Sequence, residues 1–337
     1  MNHGIRTGIF FLCLALAACQ SDASKTPAGG NGALLEAPPY AGITDSIRRE
    51  PKNAALYQQR AALLTQQGQY PLAAGDLEKA WQLSPSEGLA MEQVNNRFLQ
   101  GKTKEAVALL QQFLQQYPQS AGLKRRLGEA YLQGGEYDRA IAVYDSILAA
   151  NTNDFEAYYE RATLYLEQKD SARAIADLEK SYALQPTQLA ALSLANLYAE
   201  KKNPRALVLA DSVIARDQNQ EMIDPVFIKG IYYANTKNAN KALEAFDQCI
   251  RMDWKFHEAY IEKGIIYFEQ KNLDEALKQF KLAATVTNTY PDAYFWQGRC
   301  YEALGKTQEA ISNYVRAYAL DKDFSEARER AEKLRGG

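Results

Sequence analysis

The stretch from Ile223 to Phe324 says the same thing three times, and few folds are open to a chain that does so. Val226, the pair Lys229-Gly230 and Tyr233 are followed by Ala242 and Phe246. Thirty-four residues on come Tyr260, Lys263-Gly264 and Tyr267, then Ala276 and Phe280. Thirty-four further come Tyr294, Gln297-Gly298 and Tyr301, then Ala310 and Tyr314. A large residue, a small one and an aromatic at spacings of four and three mark one face of a helix. An alanine with an aromatic four residues later marks one face of a second helix. The unit is a helix-turn-helix that cannot bury its apolar face alone, so it has to stack on copies of itself.

The second-helix alanines carry the period along the chain: Ala73, Ala106, Ala140, Ala174, Ala206, Ala242, Ala276 and Ala310, at spacings of 33, 34, 34, 32, 36, 34 and 34. Small residues of the first helix keep step at Ala61, Gly128, Ala162, Ala195, Gly230, Gly264 and Gly298. Their size lets the neighbouring helix come close. Turn signals stand between the helices at Gln67-Gly68, Gly134-Gly135, Lys169-Asp170, Lys271-Asn272 and Leu304-Gly305. Pro85, Pro118 and Pro186 close units, because proline cannot continue a helix.

These residues match W-x2-L-G-x2-Y…A-x3-F…P, and the chain resembles the tetratricopeptide repeat family. The resemblance implies an all-α fold, a right-handed superhelix (an α-solenoid) of about eight helix-turn-helix repeats. They fall near 54–87, 88–120, 121–154, 155–187, 188–222, 223–256, 257–290 and 291–324, within a repeat domain of 41–335. Two units depart from the pattern. The second has Val94 and Asn95 where a small residue is expected. The fifth is short, with Asn203-Pro204 in its turn and a longer link, Asp217 to Asp224, after it. Ile43 to Arg49 reads as a lone second helix capping the start, and 325–335, with Arg328, Arg330, Lys333 and Arg335, as a polar helix capping the end.

The N-terminus reads as an export signal. A polar start with Arg6 leads into an apolar run from Gly8 to Ala18, too short to span a bilayer, which takes roughly 20 apolar residues. Leu16-Ala17-Ala18-Cys19 resembles the lipobox of bacterial lipoproteins. That resemblance implies cleavage of residues 1–18 and a covalent lipid on Cys19, anchoring the chain with three acyl chains. The alternative is an ordinary secretory signal with Cys19 present by chance. Gln20, where aspartate favours inner-membrane retention in the sorting pattern, points to the outer membrane, facing the periplasm. Residues 19–40 are rich in Gly, Ser and Pro and are expected to form a flexible linker with a reach of roughly 25 Å.

Composition removes several classes. Lys plus Arg number 39 against 41 Asp plus Glu, so no basic excess exists to neutralise nucleic acid. Four cysteines in 337 residues are no disulfide framework. Cys249 and Cys300 are a whole repeat apart and are expected to be buried and unbridged. His257 is the only histidine beyond the expected cleavage point, which disfavours metal sites and His-dependent nucleophilic catalysis. Neither a phosphate-binding glycine loop nor Cys-x2-Cys nor a nucleophile elbow occurs. Glu156, Glu160 and Glu167 share a helix with Arg161, but paired carboxylates act only in a shaped pocket. The expectation is a non-enzyme without metal or cofactor, apart from the lipid on Cys19.

In the family, first helices line the groove that holds partners. Carried over, the groove positions are Tyr159, Thr163, Asn196, Phe227, Ile231, Ile261, Ile265, Phe268, Phe295 and Arg299, beside Leu192 and Trp296. Phe227, Ile231, Ile261, Ile265 and Phe295 either form a contiguous exposed apolar patch that receives a partner segment or are buried by adjacent repeats. The Lys and Asn pattern by which some members clamp carboxylates is absent. Gln58 and Ala62 stand in the first unit, and Arg125 and Glu129 in the third. Lys124-Arg125-Arg126 either holds an acidic partner or is a solvated face. Three functions follow: an envelope scaffold holding one or more proteins, a homo-oligomeric structural element, or a glycan or small-ligand binder stacking on Trp296. Family roles include outer-membrane protein, secretin or pilus assembly and recruitment of hydrolases.

Overall fold

A computed structural model of the chain describes residues 31–219 and 221–336. The expected signal segment 1–18 and Cys19 lie outside the described residues. All regular structure among them is helical, in nineteen helices. The chain divides into two compact units at Ser120. The first holds α1 (Asn31–Leu35), α2 (Ala41–Arg49), α3 (Ala54–Gln66), α4 (Tyr70–Leu83), α5 (Glu87–Leu99) and α6 (Thr103–Gln116). The second holds α7 (Ala121–Gln133), α8 (Tyr137–Ala150), α9 (Phe155–Glu167), α10 (Ser171–Leu184), α11 (Gln188–Glu200), α12 (Arg205–Ile214) and α13 (Asp224–Asn235). It continues with α14 (Ala239–Met252), α15 (His257–Glu269), α16 (Leu273–Val286), α17 (Pro291–Ala303), α18 (Thr307–Leu320) and α19 (Ser325–Gly336). From α3 to α18, odd-numbered helices are the first of a pair and even-numbered ones the second.

Each pair is closed by the same device. The residue ending the turn after the first helix has a left-handed backbone: Gly68, Gly101, Gly135 and Gly305 at φ 71°, and Lys169, Lys202, Lys237 and Lys271 at φ 58–61°. Glycine takes this conformation without cost, whereas lysine is strained there. Asn53, Ser86, Asp154, Asp170, Thr187, Asn238 and Asn272 accept backbone N–H bonds at the helix starts that follow them, satisfying donors that would otherwise have no partner.

Inside each pair, size is matched across sixteen residues. A methyl group on Gly264 would lie 2.4 Å from Phe280, and one on Gly230 2.4 Å from Phe246. Gly128 faces Tyr144 at 2.8 Å and Gly298 faces Tyr314 at 2.7 Å in the same way. In three pairs the small residue is alanine or valine and the residue sixteen later is leucine: Ala61 and Leu77, Val94 and Leu110, Ala162 and Leu178, all buried; the short fifth pair is the exception, with Asp211 sixteen after Ala195. The Val94 departure in the second unit is thus matched by a smaller partner, and its helix is intact.

A second regularity replaces the leucine of the family pattern, one residue before the small position. Arg60 makes two 2.7 Å bonds to Asp76, and Arg161 two 2.7 Å bonds to Asp177 with a third, 2.6 Å, to Asp145. Lys229 reaches Asp211 at 2.7 Å, and Lys263 reaches Asp247. The basic heads thus tie helices together over an otherwise apolar interior, their stems packing alongside.

The linker ends earlier than the sequence implies. Leu34 and Leu35 of α1 pack against the first core cluster, Tyr40 is only 2% exposed, and the Thr44 hydroxyl donates to the Leu35 carbonyl at 2.8 Å. Residues 31–40 therefore belong to the packed unit, because the Gly-rich composition stops at Gly32 and two leucines follow. At the other end, α19 buries Ala327 and Ala331 and turns a charged face outward. The fifth pair is short, as its sequence implies: α12 has 10 residues where most second helices have 14.

Candidate functional site

In the second unit, α11 packs on α13, α13 on α15 and α15 on α17. First helices therefore stand side by side, and residues at the same position of successive repeats share one face. Eight of the ten expected groove residues are on these helices, with Tyr159 and Thr163 on the preceding first helix α9, and the structure separates them by burial. Ile231, Ile261 and Phe295 are 7%, 5% and 5% exposed. Phe227 is half-buried, its ring 5.5 Å from Phe246 and 5.2 Å from Phe256. Ile265 and Phe268 pack against the core around Phe280. The expected contiguous exposed apolar patch is therefore not present. Successive first helices touch directly, so the side chains pointing along that face fill the seam between helices.

What remains accessible is a strip of half-buried groups. Tyr159 and Leu192 pack their inner edges on the core. Thr163 donates to the Glu160 carbonyl at 2.6 Å, and Asn196 to Glu200 at 3.3 Å. Arg299 lies over three rings, 5.4 Å from Phe268, 5.4 Å from Trp296 and 5.9 Å from Phe295, and faces Glu326 at 3.9 Å. Trp296 stacks on Phe280 at 5.6 Å with rings 15° apart and meets Phe268 and Phe295 edgewise. That ring is already used inside the protein, which removes the stacking platform assigned to it for a glycan.

The other end of the face is ionic. Arg125 donates to Glu160 at 2.8 Å and to Asp154 at 2.6 Å, with Glu156 at 3.4 Å. Arg126 pairs with Glu129 at 2.7 Å. Two of the three cations in Lys124-Arg125-Arg126 are thus neutralised by the unit itself, which argues against an acidic-partner site there. Burial drives the Glu160 carboxyl up to about 7, Arg125 pulls it back down, and Glu129 and Glu156 add to the rise.

One residue on this face was missed in the sequence. Glu262 of α15 is 7% exposed. Burial, then Asp292 and Glu269, push its carboxyl up to about 7. The signal was there: Glu262 is three repeats after Glu160. Cys249 and Cys300 are buried and unbridged, and burial pushes both thiols up to about 12. Among the described residues no group of three or more His, Cys, Asp or Glu is placed to hold a metal, and no helix is long and apolar enough to cross a membrane. A surface hollow of about 320 Å³ lies between the start of α11 and the link after α12, lined by Gln188, Arg216 and Met222 among others.

Four family models described as tetratricopeptide repeat match the chain, at residues 97–162, 155–188, 229–291 and 291–333. Solved structures agree. One chain of the APC/C hetero-tetramer Cut9-Hcn1 aligns with a TM-score of 0.53 at 15% identity, over 88% of this chain and 58% of that one. This chain therefore spans little more than half of that relative's length. PilW, described as a widely conserved type IV pilus biogenesis factor, aligns with a TM-score of 0.53 at 18% identity, over 63% of this chain and 96% of its own. A tetratricopeptide repeat protein from Parabacteroides merdae aligns at 0.46 and 15% identity, over 83% of this chain and 98% of its own. No curated protein matches. At these identities the likeness is one of fold. The chain is built of tetratricopeptide repeats, and such repeats are scaffolds that bind partner proteins or peptides.

Proposed function

We propose that this chain is a membrane-anchored scaffold of the bacterial cell envelope that holds a segment of a partner protein along the first-helix face of its second unit. In this reading Cys19 carries the lipid, the outer membrane holds it, and the repeats face the periplasm. The observation that carries the binding surface is the set of half-buried side chains on the first helices α9, α11, α15 and α17: Tyr159, Thr163, Leu192, Asn196, Ile265 and Arg299. Half-buried groups are held in place by the core yet keep an edge for a ligand, so little ordering entropy is lost on binding. The face offers position and shape and no reacting group, which favours holding a partner over transforming a substrate.

The test is photocrosslinking in cells. A crosslinking residue at Thr163 or Ile265 is expected to capture a defined protein, while one at Val208, 68% exposed on a second helix, captures none. Capture only of further copies of the chain would favour the oligomeric element instead. Equal capture from Val208 and Thr163 would overturn the assignment of the face. For the anchor, labelled palmitate is expected on the wild type and absent from Cys19→Ser, which also leaves the membrane fraction.

A further inference from the structure

The second unit contains the same local arrangement twice, 102 residues apart, and the two copies differ in one ion pair. In the first copy the guanidinium of Arg125 lies between Glu160 at 2.8 Å and Asp154 at 2.6 Å, with Glu156 at 3.4 Å. Three repeats later Glu160 becomes Glu262 and Glu156 becomes Glu258. Arg125 becomes Phe227, and Asp154 becomes Phe256. The two glutamates are kept, while the cation and the aspartate that pairs with it are both replaced by rings. Phe227 and Phe256 now meet each other at 5.2 Å, edge to face, where an ion pair stands in the first copy.

Glu262 is 7% exposed, and no hydrogen bond or ion pair among the described residues reaches its carboxylate. The nearby cations are committed elsewhere. Lys237 takes Glu269 at 3.0 Å and Lys263 takes Asp247. The charges that act on Glu262 are those of Asp292 and Glu269. Glu258 is one turn earlier on the same helix face. Asp292 lies in the first turn of α17, and its charge acts on Glu262. A buried carboxylate without a partner is costly, and in the sister copy the chain removes that cost with an arginine.

We propose that the first-helix face around α13, α15 and α17 receives a cationic side chain, a lysine or arginine of the bound partner segment. Glu262 is its counter-ion, Glu258 stands beside it, and the Phe227 and Phe256 rings form the wall. Aromatic rings suit a desolvated cation, which their faces attract, and the paired carboxylate fixes its position. This inference rests on the partner-binding reading above and adds the chemistry of one contact.

The test uses the full chain, immobilised, and a displayed library of random linear peptides. Wild type is expected to enrich peptides with Lys or Arg at one fixed position, and Glu262→Gln to lose that enrichment. In a synthetic peptide so selected, replacing the cation by norleucine should weaken binding to wild type about tenfold and leave binding to Glu262→Gln unchanged. Phe227→Arg, which puts a guanidinium where Arg125 stands in the sister copy, should weaken binding by at least as much, with helix content by circular dichroism kept. Peptides selected without a basic preference, or a preference that survives Glu262→Gln, would overturn this inference and leave the scaffold reading standing. Recovery of no peptide by wild type would count against both.

Discussion

Repeats three and four and repeats six and seven share one backbone arrangement and solve the same problem differently. In the first pair, the seam between first helices is ionic, with Arg125 holding Asp154 and Glu160. In the second pair it is aromatic, with Phe227 on Phe256 and Ile231 and Ile261 buried. The steric frame is common to both, since Gly128 faces Tyr144 as Gly264 faces Phe280. The lesson is that a repeat fixes where side chains point and leaves open what they do there. A self-satisfied seam has no unpaired charge to offer a partner, whereas a seam that keeps an anion without its cation does.

The largest effect should come from breaking what the two regions share. Gly264→Ala places a methyl 2.4 Å from the buried Phe280 ring and should destabilise the chain by about 3 kcal/mol in guanidinium denaturation. Adding Phe280→Leu should recover most of that loss, because it recreates the alanine and leucine pair of Ala162 and Leu178. If the double variant is no better than the single one, size matching is not what ties these positions together.

The next test separates the regions. Arg125→Ala leaves Glu160 with no counter-ion and should cost about 2 kcal/mol, more at pH 8 than at pH 6, because protonation relieves the stranded charge below neutrality. A loss independent of pH would assign Arg125 a packing role only.

Glu262→Gln should act in the opposite direction. The folded-state value is raised from 4.5 to about 7, so the unfolded chain ionises first. Wild type therefore loses stability as pH rises from 4.5 to 7 and keeps that deficit at higher pH. The variant should match wild type near pH 4 and exceed it by about 2 kcal/mol at pH 8. Parallel pH profiles for the two proteins would show that Glu262 is not held neutral.

The smallest effect belongs to the turns. Lys271 has φ 59° where the corresponding Gly305 has φ 71°. Lys271→Gly should raise the denaturation midpoint by the equivalent of about 0.5–1 kcal/mol, and Gly305→Ala should lower it by a similar amount. A change of the same sign in both would mean that backbone strain does not govern these positions.

Much of this was legible in the sequence. The alanine period located every helix pair, and the Asn203-Pro204 turn announced the short α12. Turns were read at Gly68, Gly135, Lys169, Lys271 and Gly305, and through Asn203-Pro204 in the fifth unit, but not at Gly101 and Lys237. The candidate site was read less well. Ile231, Ile261 and Phe295 were placed on the right helices, yet an apolar residue beside a groove and one inside a seam have the same spacing. Glu262 looked like any surface glutamate on an amphipathic helix. Only its comparison with Glu160, and the loss of arginine at Phe227, sets it apart.

The sequence alone determined the period, the helix pairs and the glycine-to-aromatic match, because these depend on contacts within about 34 residues that recur in phase. The tertiary structure alone decided which groove residues are buried and which carboxylate has no cation. Those outcomes depend on side chains from successive first helices meeting across a seam, and the distance between two such helices is not written in either one.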